Sequence, residues 1–192
     1  ETPGGLVSAK IIEERNGKAF TIKVDMGKAI FESTKIPVNC KNKECIDETL
    51  NLEYKDYQIS CVSVGNPHCV ILKDELDVSE IKTFGSQIEN NPMFPNRINV
   101  QFAKVISPTL VEIIIWERGA GWTLASGSSS CAVACVVVKK ELTERNLTIK
   151  MPGGNLKIEI DDLWNIKMTG EVREIASGVL SDELIQNIKS QK

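Results

Sequence analysis

The apolar and polar positions of this 192-residue chain fall mostly into short runs bounded by turn residues, the pattern of a strand-rich protein. Leu6–Glu13 and Lys18–Met26 read as two strands around Arg15-Asn16-Gly17, a strong hairpin signal because asparagine and glycine both accept positive φ. Lys35–Thr49 is polar and punctuated and reads as a loop. Leu50–Tyr54 and Tyr57–Val64 make a second predicted hairpin around Lys55-Asp56, and Cys69–Lys73 follows as a strand after a break at Gly65-Asn66-Pro67-His68. Arg97–Ile106 and Thr109–Trp116 are predicted strands around Ser107-Pro108. Asn146–Met151, Asn155–Ile160 and Trp164–Thr169 complete the set, separated by Pro152-Gly153-Gly154 and Asp161-Asp162.

Helical spacing is rarer. Val78, Ile81, Phe84 and Ile88 predict a helix within Asp77–Asn90, with Asp77 or Ser79 as its cap and Asn90-Asn91-Pro92 as its end. A glycine- and serine-rich loop, Gly119–Ser130, leads into a second helix from about Ser129 to Lys140, whose lysines suit the negative end of a helix dipole. Ser181–Ser190 reads as a short terminal helix capped by Ser181. There is no internal repeat and no low-complexity linker. The fold class is therefore α+β, one contiguous domain whose first strands are free to pack on a neighbouring domain.

Composition narrows the function classes. At 42% hydrophobic residues the chain builds a core without disulfides or metals, and its net charge of −3 is spread along the sequence with no basic cluster. That argues against a nucleic-acid partner and against a polybasic membrane anchor. The longest apolar run, Cys131–Val138, is too short to span a membrane, and no secretory signal stands at the start, although the chain opens with Glu1 and not with Met. Six irregularly spaced cysteines in a core-rich chain are expected to be reduced, in a cytoplasmic protein. Cys40 and Cys45 would make one arm of a zinc site, but there is no second pair with ligand spacing and His68 is the only histidine, so no metal is expected.

Three places hold polar residues that a core would reject: Gly65-Asn66-Pro67-His68, Asn96-Arg97-Ile98-Asn99, and Glu117-Arg118-Gly119-Ala120-Gly121 with the loop that follows it. Strand, glycine-rich loop and helix start form a geometry that binds a carboxylate or phosphate. Taken alone, a flexible loop with a serine cap explains Gly127-Ser128-Ser129-Ser130 better. Glu117-Arg118 is evenly balanced between an exposed ion pair and a guanidinium clamp beside a general acid/base. A lone histidine such as His68 is more often satisfied locally than catalytic, but its place at a strand entrance shifts the balance toward a cleft. Cys131 and Cys135, one helical turn apart among Ala and Val, read as core.

Taken together these segments resemble the diaminopimelate epimerase family. The stretches that carry the resemblance are Val62-Ser63-Val64-Gly65-Asn66-Pro67-His68-Cys69-Val70, Phe94-Pro95-Asn96-Arg97-Ile98-Asn99-Val100 and Glu117 through Ala132, with Val24-Asp25-Met26-Gly27 and Met168-Thr169-Gly170 as further landmarks. They run over nearly the whole chain in the family's order. The resemblance implies a mixed or antiparallel sheet wrapped around a central helix, here residues 129–140. It implies inversion of an α-carbon of diaminopimelate, LL to meso, in lysine and peptidoglycan precursor synthesis, with no pyridoxal phosphate or other cofactor. Two cysteines, one from each pseudo-symmetric half, remove and return the proton. By position, Asn66 and Asn99 would contact the small amino-acid substrate, and Glu117 and Arg118 would bind it and tune the thiols. His68 would assist the cysteine of this half, and Gly127 and Ser128 would give amides to the α-carboxylate.

Two departures follow from the same comparison. Ser126 stands where the family has its second catalytic cysteine, with Trp122 where Glu is usual and Ser129 where Gly is usual. Trp122 is expected to reshape the pocket, and Ser126 to impair catalysis. The second departure is extent: residues 1–192 read as the C-terminal catalytic domain of a two-domain epimerase, with the first strands and the terminal segment packing on a missing N-terminal half. Members of the family are often dimers, so a homodimer is also expected. Two other functions stay open, a related racemase or isomerase acting on another amino acid, and a non-catalytic amino-acid-binding domain.

Overall fold

The computed structural model describes residues 7–190. In chain order its elements are β1 (Ala9–Arg15), β2 (Lys18–Lys28), β3 (Glu48–Asn51), β4 (Asp56–Ser63), β5 (Pro67–Leu72), α1 (Val78–Glu89), β6 (Asn99–Ser107), β7 (Leu110–Glu117), β8 (Gly121–Thr123), α2 (Gly127–Lys139), β9 (Asn146–Met151), β10 (Gly154–Ile160), β11 (Asn165–Glu171) and α3 (Asp182–Ser190). The α+β class stands. The strands form one mixed sheet in the order β1-β2-β11-β10-β9-β7-β6-β5-β4-β3, with β8 paired to β7. Two pairings are parallel, β5 with β6 and β7 with β9.

The sheet wraps around α2. Every residue of that helix from Ser129 to Val138 is buried. Its sequence explains this, because Cys131 through Val138 is apolar on all sides, and such a helix has no face to give to water. The four valines are poor helix formers, so burial on every side must supply the stability that propensity does not. After β2 the chain turns back to complete the enclosure: Ala29 N–H donates to Trp164 O (3.0 Å), and Ile30 and Ser63 exchange backbone bonds of 2.9 and 2.8 Å. That bridge joins the end of β2 to the end of β4 and closes eight strands, β2, β11, β10, β9, β7, β6, β5 and β4, into a ring.

On β4 to β7 both faces are buried. Val62, Val70, Ala103, Ile113 and Ile115 point inward to α2. Tyr57, Ile59, Cys61, Cys69, Ile71, Val100, Phe102 and Ile114 point outward into a second core under α1 and the 30–50 segment. This accounts for the unbroken apolar runs in these strands, since a sheet covered on both faces loses its alternation.

Several boundaries differ from expectation. β3 takes Glu48 and Thr49 from the segment read as a loop and ends at Asn51. Part of the glycine-serine loop is strand β8, and α2 begins at Gly127, two residues early, with Ser126 as its N-cap residue. β5 starts at Pro67, so His68 lies within the strand. α3 begins as expected, with Leu184 N–H donating to Ser181 Oγ at 3.3 Å. Of the first predicted strand, Leu6 lies outside the described residues.

α1 is capped by Asp77, whose carboxylate accepts from Ser79 N (2.7 Å). It lies against Trp116 with almost no clearance: a Cβ added at Gly85 would stand 2.5 Å from the indole ring. Gly85→Ala is therefore expected to destabilise the protein by about 1–3 kcal/mol through overpacking, despite alanine's better helix propensity. Urea denaturation reads this directly, and a gain in stability would show that α1 can move off the sheet.

Candidate active site

The register places the three polar segments on one rim of the ring. His68 pairs with Asn99 across the parallel β5–β6 ladder, and Val100 with Trp116 across β6–β7, so the strand entrances of β5 and β6 lie beside the exit of β7. The exits of β4, β9 and β11 and the N-terminus of α2 share that rim.

Asn99 pins the segments together. Its Nδ2 donates to Pro67 O (2.8 Å) and its Oδ1 accepts from Arg118 N (3.0 Å). Arg118 is exposed, with Nη1 donating to Asn96 O at 3.0 Å. Glu117 is half-buried and accepts from Thr123 Oγ1 at 2.7 Å.

His68 is completely buried. Its Nδ1 faces Gln101 Nε2 (3.1 Å) and its Nε2 faces Asn66 Oδ1 (2.9 Å). The Gln101 amide nitrogen, only a donor, uses its second hydrogen on Ser129 Oγ in the first turn of α2 (3.1 Å). His68 must then accept at Nδ1 and carry its proton on Nε2, which it donates to Asn66. Burial pushes its pKa down to about 3 and the Arg118 charge adds to the lowering; protonation would also have to displace the hydrogen bond that Gln101 donates to Nδ1. His68 is a neutral hydrogen-bonding group whose two nitrogens are both occupied. Gln101 Oε1 is buried with no partner, at a cost of about 1–3 kcal/mol.

Ser126 is extended, at φ −155° and ψ 125°, and its side chain makes no capping bond. Its backbone is held at both ends: its N–H donates to Met151 Sδ (3.4 Å), and its carbonyl accepts from Ser130 N (3.1 Å) and Ser130 Oγ (2.9 Å). The first-turn amides of Gly127 and Ser128 have no intrahelical acceptor, so they and the helix dipole favour negative charge there. An open cleft of about 600 Å³ runs past this point, lined by Ser126, Gly127, Met151, Asn155, Glu171 and Arg173.

Trp122 does not reshape that cleft. It shares the outward face of the sheet with its partner Trp116 and packs into the second core, with Lys82 Nζ 4.2 Å from its ring centroid. The cause is the alternation of β8, which turns Thr123 toward Glu117 and Trp122 toward α1. Two polar residues absent from the sequence reading are built into the rim. One is Gln101, which looks like any alternate residue of a buried strand. The other is Glu89, at the end of α1, 4% exposed and bonded to Gly119 N at 2.9 Å. Among the described residues, no group of three or more His, Cys, Asp or Glu side chains is placed to hold a metal ion, and no helix is long and apolar enough to cross a membrane. All six thiols are free, and burial pushes Cys131 up to about 12.

The architecture is that of the racemase and epimerase structures. A probable proline racemase from Agrobacterium radiobacter superposes with a TM-score of 0.68 over 93% of this chain and 58% of its own, at 11% identity. Sequence comparison is more specific. The diaminopimelate epimerase family model matches residues 60–175. Diaminopimelate epimerase 2 of Nostoc sp. is 45% identical over 96% of this chain and 63% of its own length. The diaminopimelate epimerase of Acetivibrio thermocellus is 38% identical over 90% and 63%. The chain belongs to the diaminopimelate epimerase family and spans 63% of the length of these relatives.

Proposed function

We propose that this unit supplies one half of a cofactor-independent epimerase that inverts the α-carbon of diaminopimelate, LL to meso, in lysine and peptidoglycan precursor synthesis. The other half comes from the part of the relatives' length that this chain does not span. The observation that carries the reading is the gathering of Asn66, Asn99, Glu117, Arg118 and Ser126 on one rim, at the N-terminus of the enclosed helix. A substrate α-carboxylate is held by the Gly127 and Ser128 amides, which also stabilise the charge that develops as the α-proton leaves. Arg118 clamps a carboxylate and Glu117 an ammonium group. Asn66 and Asn99 complete the shell. His68 assists from within, fixing Asn66 through Nε2–H and keeping a second positive charge out of the site.

Ser126 occupies the position of the proton-transferring group. Its hydroxyl is a far weaker acid than a thiol, which supports a second reading, that the protein binds the amino acid and turns it over poorly or not at all. Calorimetric titration of the full-length protein with diaminopimelate and with proline separates these substrates. Diaminopimelate is expected to bind, and Arg118→Ala to weaken it by about 10- to 100-fold, the 1.5–3 kcal/mol carried by a hydrogen bond to a charged group. Equal affinity of parent and variant would remove Arg118 from the site, and binding of proline alone would replace the substrate.

A further inference from the structure

Glutamate is rarely buried unless paired, and Glu89 is paired three times over. Its Oε1 accepts from Gly119 N (2.9 Å) and Arg97 Nη1 (3.1 Å), and its Oε2 from Trp116 Nε1 (2.8 Å). Trp116 immediately precedes Glu117, and Gly119 immediately follows Arg118, so one carboxylate grips the backbone on one side of the Glu117-Arg118 pair and the side chain on the other. Two of its partners have left-handed backbones, Gly119 at φ 79° and Arg97 at φ 57°. For arginine that conformation costs on the order of 1 kcal/mol and persists only when the surroundings impose it. Arg97 also adjoins Asn96, whose carbonyl takes Arg118 Nη1.

Resting on the substrate role given above to Glu117 and Arg118, we propose that Glu89 is the positioning residue of this site. From the end of α1 it fixes the turn Glu117–Gly119, and thereby the direction in which Arg118 presents its guanidinium to a substrate carboxylate. Glu89 touches no substrate. It acts through the Gly119 amide and the Trp116 indole, and it couples the second core to the rim.

The test uses the full-length protein in a Ser126→Cys background, with Glu89→Gln, Trp116→Phe and the double variant. Glutamine keeps the size of the side chain but turns an NH2 either on the indole N–H or on the Gly119 and Arg97 donors. Trp116→Phe removes the indole donor, so the double variant faces no donor with a donor. Two readouts are taken: hydrogen exchange at the Gly119 amide, and KM and kcat for diaminopimelate. Glu89→Gln is expected to speed Gly119 exchange and lower kcat/KM by about 10-fold each, the double variant returning to within about threefold of Trp116→Phe. A merely structural loss would not be rescued by removing a second hydrogen-bonding group, so failure of the double variant to recover overturns the proposal. Unchanged Gly119 exchange in Glu89→Gln overturns it too, whatever the ligand. Faster exchange with rescue in a protein that never binds diaminopimelate keeps the grip of Glu89 on the turn and overturns the substrate reading instead.

Discussion

Replacing Ser126 by cysteine in the full-length protein is expected to raise α-deuterium incorporation into diaminopimelate by about 100-fold or more, the range that a positioned acid/base contributes. An ordinary thiol, with a pKa of about 8.5, is already a few per cent thiolate at neutral pH, and a helix N-terminus lowers its pKa further. Ser126 has the helix end but not the acidity. The polar group buried behind the same rim cannot substitute as its base, because His68 is held down to about 3 and both of its nitrogens are engaged. Folding should tolerate the exchange, since the Ser126 hydroxyl makes no cap that the thiol would forfeit. Ser126→Ala should match the parent. Mass spectrometry in D₂O decides: a cysteine form that exchanges no faster than serine would mean that residue 126 is not where the proton is taken.

Acid should cost the fold more than its carboxylates alone explain. His68 is buried and neutral, with a folded-state pKa near 3 against 6.5 in the unfolded chain. Above 6.5 neither state is protonated there, and the full stability is present. As the pH falls below 6.5 the unfolded chain takes up a proton that the native state refuses, so stability declines by up to about 1.4 kcal/mol per pH unit until the folded pKa is reached. His68 is the only histidine in the sequence, so in the window from pH 6.5 to 5, above most carboxylate titration, it dominates the change. Urea midpoints across that window are expected to reveal a loss of about 2 kcal/mol. A flat profile would mean that the ring meets water.

The central helix was legible because Cys131–Val138 is apolar on every side, a pattern that only complete enclosure explains. It starts two residues before the expected Ser129 because Gly127 and Ser128 look like loop residues, whereas they open the first turn. His68 was legible as an unusual polar residue but not as a strand residue. Its confinement comes from pairing with Asn99, thirty-one positions away, which local pattern does not encode. Trp122 misled for a related reason: the loop reading gave it no face, and the short strand β8 assigns it to the second core. Glu89 was hidden among the polar residues at the end of α1. Nothing next to it in sequence announces three donors arriving from Arg97, Trp116 and Gly119.

The ring closed by Ile30 and Ser63 also constrains the order of folding. β2 is finished by Lys28, yet its in-ring neighbour β11 begins only at Asn165, so nearly the whole chain must exist before the two can pair. During synthesis the β1–β2 hairpin waits with an open edge while the central helix and the strands around it are made. A helix this apolar collects its walls one after another and is sealed last by the β2–β11 seam. Such dependence on distant pairing predicts slow folding, with an intermediate whose exposed valines and unpaired edge make it prone to aggregation.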